Sequence, residues 1–491
     1  MISRSFRGAL AIAALTIPAA LAAQAPRPVS ATAETPATRR ARQLVALWNT
    51  QPSRAAYTAF ADSVFAPGFL SAVPMERHTG ALFQAYDNLG GIDSVAVQAA
   101  SDSAATLLVR SRLLGTWAAL TVAVTPDAAH RIARPMEIRN APREVQPQRP
   151  RASSTEAAGR ELDALARRLD GADAFSGGVL VGLNGRVLFQ GAYGMASREL
   201  GAPNRVDTRF NLGSINKMFT SVSILQLMEA GKLSLDDPVA KWLPGVLRDD
   251  AAARIRIRHL LTHTSGLGDF LFTPEMEKLN PARFRSIADY LPLVKGDTGR
   301  FEPGTSWSYS NTGFLLLGAI VEKASGQPYE QYVRDHVFSP AGMTDTEWPY
   351  FDQSPRNVAF GYERELADAG PVWGSNRYNL PVHGSPAGGG VSTVADMFRF
   401  LDALRTNKLL KPETTQRMLA AKPEMNAPQY GFGTQIFPAD GMVGHTGGGP
   451  GTRSWVSMDP RTGLIVIVLG NTTGQTRAVV SRAIELYKPA G

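Results

Sequence analysis

A polar, proline-containing segment, NAPREVQPQRPRASST at residues 140–155, interrupts the 491-residue chain. Such a composition is typical of a linker, because it offers few apolar side chains for a packed element to bury. The length of the chain also exceeds that of one ordinary domain. We therefore predict a small domain at residues 38–140, a linker at 141–155 and a larger domain at 156–490.

The segment before this linker changes its periodicity once. Residues 38–89 place Leu44, Val45 and Trp48 at helical spacing, and the pattern repeats in RAAYTAFADSVF. Residues 90–140 instead alternate in the manner of four strands. Helices followed by an antiparallel run predict a small α+β domain. Its order resembles a cystatin-like or nuclear-transport-factor-like domain.

Composition and charge exclude several classes of protein. The chain has no cysteine, which excludes a disulfide framework, thiolate metal sites and a cysteine nucleophile. The formal net charge is +8, of which residues 1–160 carry +7 and residues 161–491 carry +1. Because the larger domain is nearly neutral, we expect no nucleic-acid partner.

The basic excess begins at the start of the chain. Arg4 and Arg7 precede an apolar run from Gly8 to Ala23, with small residues at possible cleavage sites. This pattern predicts a signal peptide at residues 1–25. An uncleaved membrane anchor is the alternative, but the run is short and Pro18 interrupts it. We expect a periplasmic or secreted protein with no membrane span after cleavage.

A serine and a lysine stand at the start of a predicted helix. The segment GGVLVGL, Asn184-Gly185, RVLFQGAYG predicts a β-hairpin, and FNLGSINKMFTSVSILQLMEAGKL then has helical periodicity. Ser214 lies at the helix start, with Lys217 three residues later on the same face. A partly desolvated lysine can accept the serine proton, and a helix N-terminus stabilises negative charge. The pair alone is a weak signal, since a surface lysine on a helix gives the same pattern.

Two later segments extend this pattern. Tyr309-Ser310-Asn311 precedes an apolar helix, and His445-Thr446-Gly447 lies in a strand-like run. The same short patterns also occur at Tyr86-Asp87-Asn88 and His78-Thr79-Gly80. We interpret those two as coincidences, because they precede any serine–lysine pair and lie in a helical segment.

With these motifs in order, residues 160–490 resemble the penicillin-recognising serine hydrolases, which include class C β-lactamases, D-alanyl-D-alanine carboxypeptidases and esterases. The resemblance extends to LSLDDPVAKWLP, IRHLLTHTSGL, FEPGTSWSYSNTGF, AGGGVSTVADMFRFL and GLIVIVLGNT. It implies an α+β fold: a β-lactamase-like antiparallel sheet flanked by helices, with a helical subdomain and the site between them.

The resemblance also implies roles for the motif residues. Ser214 would form an acyl-enzyme, and Lys217 and Tyr309 would share the proton transfers, a lysinium lowering the pKa of the phenol. Either of those two residues is a candidate base for acylation. Substrate binding falls to Asn311 and the third motif, and the oxyanion would lie between the backbone N–H groups of Ser214 and Gly448. The substrate-binding candidates are Asn311, His445, Thr446, Gly447 and Gly448.

One departure from the family pattern bears on the substrate. The third motif usually begins with lysine in penicillin-binding enzymes, whereas His445 is mostly neutral at pH 7. Since no fixed cation faces a substrate carboxylate, we predict an esterase or a D-amino-acid peptide or amide hydrolase. A β-lactamase or D,D-carboxypeptidase is the first alternative. A non-catalytic sensing or scaffold module of the same fold is the second.

Other chemistries fit less well. The chain has no serine in a G-x-S-x-G pattern, which argues against an α/β-hydrolase. His259 and His263 have the spacing of two zinc ligands on one helix, but no glutamate follows His259, and a structural helix is the favoured interpretation. We therefore expect no metal and no cofactor, and a small ester, amide or peptide as substrate. The oligomeric state stays open.

Overall fold

The computed structural model describes residues 34–147, 152–273, 276, 278–377 and 379–489. The predicted signal peptide lies outside these residues. The chain divides into two compact units, one formed by residues 34–147 with 364–374 and the other by residues 152–363 with 375–489. No helix within the described ranges combines the length and the apolar character needed to cross a membrane.

The first unit consists of helices followed by a sheet. The helices are α1 (Pro36–Trp48), α2 (Arg54–Val64), α3 (Pro67–Leu70) and α4 (Met75–Leu89). The strands are β1 (Ile92–Ala100), β2 (Ala104–Ser111), β3 (Trp117–Ala123) and β4 (Glu137–Asn140). They form one antiparallel sheet in sequential order. Its alternating buried side chains and the apolar faces of the helices share one core, which includes Leu44, Trp48 and Leu107.

This order of helices and strands follows the predicted one, although β4 is shorter than the strand-like segment that suggested it. The likeness to a cystatin or nuclear-transport-factor domain stays a prediction. The two coincidental motifs, at residues 78–80 and 86–88, lie on α4. Part of the predicted linker is ordered: residues 143–145 form a 3₁₀ turn, and the Gln146 amide bonds the backbone N–H and carbonyl of Trp117.

The helices of the second unit begin directly after the linker. They are α5 (Thr155–Gly171), α6 (Asn216–Glu229), α7 (Val239–Trp242), α8 (Asp249–Arg254), α9 (Ile257–Leu261), α10 (Ile287–Tyr290), α11 (Asn311–Ser325), α12 (Tyr329–Val333), α13 (Ser339–Ala341), α14 (Val394–Arg405), α15 (Pro412–Leu419) and α16 (Thr476–Tyr487). The two most buried, α6 and α11, are buried on nearly every side and pack against each other.

A six-stranded antiparallel sheet provides the frame for these helices. The strands of this part of the chain are β5 (Gly177–Leu183), β6 (Arg186–Tyr193), β7 (Met195–Ser197), β8 (Ala202–Pro203), β9 (Phe210–Asn211), β10 (Tyr362–Ala367), β11 (Gly370–Ser375), β12 (Val391–Ser392), β13 (Gln435–Phe437), β14 (Met442–Gly449), β15 (Thr452–Met458) and β16 (Leu464–Gly470). The large sheet has the order β13-β14-β15-β16-β5-β6. Three two-stranded sheets also occur: β7 pairs with β8, β9 with β12, and β10 with β11, the last formed mostly by residues 364–374 of the first unit.

The predicted hairpin is formed by β5 and β6. Asn184 and Gly185 at its turn have φ angles of 49° and 80°, the left-handed pair that a type I′ turn requires. Strand β16 is buried along its whole length, because α14 and α16 pack on the sheet at its position. The expected α+β fold, an antiparallel sheet flanked by helices with further helices beside it, is therefore confirmed for this unit.

Candidate active site

Ser214 lies in a 3₁₀ turn that leads directly into α6. The turn spans Gly213–Ile215, and Lys217 follows in the first turn of the helix. Gly213 has a φ of +50°, and a Cβ atom there would lie 2.8 Å from the backbone nitrogen of Gly448. Glycine is therefore required for both the left-handed backbone and the close approach of β14.

Lys217 connects three parts of the site. Its Nζ lies 3.0 Å from the Oγ of Ser214, 2.7 Å from the Oδ1 of Asn311 and 2.6 Å from the carbonyl oxygen of Ala387. The side chain is completely buried. Asn311 and Ala387 present only acceptors to Nζ, so a neutral amine donates its two protons to them and turns its lone pair to Ser214. This is the geometry of a general base and its nucleophile.

The protonation of Lys217 follows from its burial. Loss of solvation lowers its pKa to about 7, while the negative charge of Asp269 acts in the opposite direction. Asp269 accepts bonds from the backbone N–H of Asn311 at 3.2 Å and from its Nδ2 at 2.7 Å. Those bonds orient the amide so that its oxygen faces Lys217. Asp269 is thus a site residue that the sequence motifs did not identify.

Tyr309 closes the site beside Ser214, whose hydroxyl acts to lower the pKa of the phenol. The Nζ of Lys217 lies 4.9 Å from the centroid of the Tyr309 ring, over its face. Burial raises the pKa of Tyr309, which keeps the phenol protonated at neutral pH. The acidification of this phenol by lysinium, which the family resemblance implies, stays a prediction.

The third motif lies on β14, whose pairing leaves one edge accessible. Strand β13 pairs with Met442–Gly444 only, and within the described residues no strand continues that pairing along residues 445–449. A Cβ on Gly447 would lie 1.9 Å from the carbonyl oxygen of Leu212, so β14 packs directly on the turn that carries Ser214. Gly448 is exposed, with open space where a side chain would project. A substrate backbone can therefore approach this edge.

The other two residues of this motif point elsewhere. Thr446 bonds to the Oε1 of Gln435 through both its backbone N–H and its hydroxyl, each at 3.0 Å. The ring of His445 is completely buried. Burial, with a smaller effect from Lys217, lowers the pKa of His445 to about 3. His445 is therefore neutral at pH 7, and no part of its ring reaches the protein surface.

His263 and Tyr430 also lie at the site, although the sequence did not single them out for catalysis. His263 had been considered as a zinc ligand with His259, but α9 ends at Leu261, so the two histidines do not share a helix. The ring of His263 instead packs against Tyr309 with centroids 4.2 Å apart and planes tilted by 37°, and its Nε2 lies 3.1 Å from the hydroxyl of Tyr430. In the described parts of the chain, no group of three or more metal-ligating side chains occurs.

Comparison with known proteins agrees with this geometry. The family model described as "Beta-lactamase" matches residues 162–487. "Penicillin-binding protein 4*" of Bacillus subtilis is 33% identical over 307 residues, covering 60% of this chain and 67% of that protein. "Esterase EstB" of Burkholderia gladioli is 33% identical over 347 residues, covering 62% and 87%.

A solved structure extends the comparison to the fold. The D-stereospecific amidohydrolase from a Streptomyces species superimposes with a TM-score of 0.55 at 26% identity, covering 70% of this chain and all of that chain. The similar proteins thus include a penicillin-binding protein, an esterase and an amidohydrolase. The chain belongs to the beta-lactamase family.

Proposed function

We propose that this protein is a serine hydrolase that forms an acyl-enzyme on Ser214. The observation that carries the proposal is the contact of 3.0 Å between the Nζ of Lys217 and the Oγ of Ser214, with the pKa of that lysine lowered to about 7. A neutral amine at this position takes the hydroxyl proton as the oxygen attacks a carbonyl carbon. Lys217 is then the base for acylation.

The remaining residues complete the reaction. The N–H groups of Ser214 and Gly448 stabilise the oxyanion, an assignment supported by the packing of β14 on the Gly213 turn. The proton held by Lys217 returns to the leaving group through the hydroxyl of Tyr309. Lys217, neutral again, takes a proton from the attacking water through the hydroxyl of Tyr309, and this proton passes to the Oγ of Ser214 as its bond to the acyl carbon breaks. Asn311 keeps Lys217 in place and offers its amide to the substrate.

The substrate class that we propose is an uncharged ester, or the amide or peptide of a D-amino acid. The neutral, buried His445 supports this choice, because the third motif offers no cation for a substrate carboxylate. Two of the similar proteins are named as an esterase and as a D-stereospecific amidohydrolase, which supports an ester or amide substrate. Hydrolysis of β-lactams or D,D-peptides is the second candidate, supported by the similar penicillin-binding protein.

The place of action is part of the proposal. The basic and apolar character of residues 1–25 supports export, so we propose a periplasmic or secreted enzyme. We also propose that the domain limits lie at residues 38–140 and 156–490, with the catalytic residues in the second domain. The non-catalytic alternative is disfavoured, because a binding module has no need of a buried lysine beside Ser214.

A substrate panel tests the proposal. The full chain is assayed with p-nitrophenyl butyrate, a chromogenic cephalosporin and a D-alanyl-D-alanine peptide. We expect the ester to have the highest kcat/KM, and Ser214→Ala to reduce it by about 10³-fold or more. Ser221→Ala is the matched control: it lies on the same helix, is buried, and its hydroxyl has no hydrogen-bond partner. A faster cephalosporin, or full activity in Ser214→Ala, would contradict the proposal.

A further inference from the structure

Three buried side chains form a continuous hydrogen-bonded chain beside the site. The Nε2 of His263 lies 3.1 Å from the hydroxyl oxygen of Tyr430, and that oxygen lies 2.9 Å from the Nε2 of His445. All three side chains are at most 2% exposed. Since buried polar groups are costly when unpaired, this series of side chains is stable only if each hydrogen bond between them contains one proton.

Backbone groups at the two ends determine where those protons lie. At one end the backbone N–H of Ser310 donates to the Nδ1 of His263 at 3.1 Å, so that nitrogen carries no proton. At the other end the Nδ1 of His445 lies 2.6 Å from the carbonyl oxygen of Thr446, which can only accept. The proton of His445 is therefore on Nδ1. Neither end can be reversed, because a backbone amide and a carbonyl have fixed roles.

The protons between His263, Tyr430 and His445 then have one possible arrangement. His263 carries its proton on Nε2 and donates it to Tyr430, and the hydroxyl of Tyr430 donates to the bare Nε2 of His445. A second proton on His445 would leave the hydroxyl of Tyr430 without an acceptor inside the protein. The charged and titratable groups around this chain are Lys217 and Tyr309, and the positive charge of Lys217 further opposes protonation of both histidines.

The hydrogen-bonded side chains connect two parts of the site, Tyr309 and strand β14. Ser310 follows Tyr309 directly, and Thr446 precedes Gly447 and Gly448 on β14. His263 also packs against the ring of Tyr309 and has a φ of +60°, a left-handed conformation that is costly for a residue with a side chain. The geometry therefore sets the distance between the hydroxyl of Tyr309 and the strand that carries the oxyanion donor.

We propose that His263 and Tyr430 are positioning residues, which hold His445 as the neutral Nδ1–H tautomer and fix Tyr309 relative to β14. This inference rests on the proposed function for its effect on catalysis, but the tautomers themselves do not depend on it. Because the Nε2 of His445 accepts from Tyr430, the third motif has no N–H of this ring to offer a substrate.

Nuclear magnetic resonance of the full chain labelled with ¹⁵N-histidine tests the tautomers directly. Long-range ¹H–¹⁵N correlations distinguish protonated from bare ring nitrogens, and His263→Gln and His445→Gln assign two of the seven histidines. We expect the two histidines to have different tautomers, and each to keep its own at both pH 5.5 and pH 7.5. The proton lies on Nδ1 in His445 and on Nε2 in His263. A His445 that is charged at pH 5.5, or protonated only on Nε2, would overturn the inference.

Kinetics of Tyr430→Phe test the positioning role. Loss of the hydroxyl breaks two bonds at once, and we expect kcat to fall about 10–100-fold while KM changes less than about threefold, since misplacement of catalytic groups costs rate rather than binding. Tyr487→Phe is the matched control: its phenol is also buried, its hydroxyl has no partner, and we expect wild-type rates. Equal rates in the two variants would overturn the positioning role.

The outcomes separate the two proposals. A wild-type protein that turns over no ester would refute the proposed function, whereas the tautomers would still be measured. An active wild type with the wrong tautomer of His445 would refute this inference and leave the function intact. If Tyr430→Phe fails to fold, the tautomers of the wild type still decide the structural claim.

Discussion

The chemistry of this site depends on the protonation state of one lysine. Lys217 is completely buried and makes its contacts to neutral groups, with Asp269 as the negative charge that acts on it. Burial therefore dominates and produces a base that is half-neutral near pH 7. The pKa of Tyr309 is raised instead, so its hydroxyl stays protonated and can donate a proton. Lys217 and Tyr309, whose pKa values move in opposite directions, are the acid–base pair that we propose.

The pH dependence of kcat/KM follows from this pair. Below pH 7 Lys217 is protonated and cannot accept the proton of Ser214, so we expect the rate to fall about tenfold per pH unit with an apparent pKa of about 7. Above pH 7 the rate reaches a plateau, because the raised pKa of Tyr309 keeps it protonated. If lysinium and a phenolate did the work instead, the rate would decline above pH 7.

Asp269→Asn provides the matched variant for this profile. The asparagine oxygen can still accept from Asn311, while the negative charge that favours lysinium is removed. We expect the acidic limb to move to lower pH by up to about one unit, the scale of a neighbouring charge. If the acidic limb of the pH profile stays at the same pH, a group other than Lys217 controls the rate.

Single residues were predictable where a motif has fixed local spacing. Ser214 and Lys217 are one helical turn apart, so their contact follows from the sequence. Asp269 and Tyr430 have no such signal: Asp269 meets Asn311 across 42 residues, and Tyr430 meets His263 across 167. Only the folded chain brings these residues together, so sequence spacing does not reveal them.

At the scale of elements, the site depends on how closely β14 approaches the turn before α6. Gly447 and Gly213 face each other across this contact, and their missing side chains allow backbone to meet backbone. Both the nucleophile and the predicted oxyanion donor therefore depend on one strand-to-turn contact. The exposed end of β14 then leaves room for a substrate.

Gly447→Ala tests this contact. Its Cβ would lie 1.9 Å from the carbonyl oxygen of Leu212, so β14 must move away from Ser214. We expect kcat/KM to fall about 10²-fold or more and the free energy of unfolding to decrease by about 1–3 kcal/mol, as in other overpacked sites. Ester kinetics and thermal unfolding measure the two effects.

Gly449→Ala is the control for that variant. It lies two residues further on the same strand, and a Cβ there meets nothing within 4 Å. We expect wild-type stability. Equal losses in the two variants would show that β14 tolerates no side chain for reasons unrelated to the Gly213 turn.

Element types were predictable from local periodicity, whereas element ends were not. The hairpin at Asn184-Gly185 and helix α6 follow their sequence patterns. Helix α9 ends at Leu261, earlier than the histidine spacing suggested, because the backbone of His263 is left-handed and its ring bonds the backbone N–H of Ser310 and the hydroxyl of Tyr430. Tertiary contacts of this kind override local preference.

At the scale of the whole molecule, the order of the motifs and the stretches between them identified the family before any coordinates. The family model covers residues 162–487, nearly the range expected from the resemblance. The first unit has its own apolar core, and its residues carry no motif from which to infer a role. Of the net charge of +8, residues 161–491 carry only +1, so the basic excess lies mainly outside the hydrolase unit.

The central claim is that Ser214 is the nucleophile. The most direct test is to label the full chain with a fluorophosphonate probe and to locate the adduct by peptide mass mapping. We predict one adduct, on the peptide that contains Ser214, in the wild type and in Ser221→Ala, and none in Ser214→Ala. An adduct on another residue, or labelling that survives in Ser214→Ala, would contradict the account.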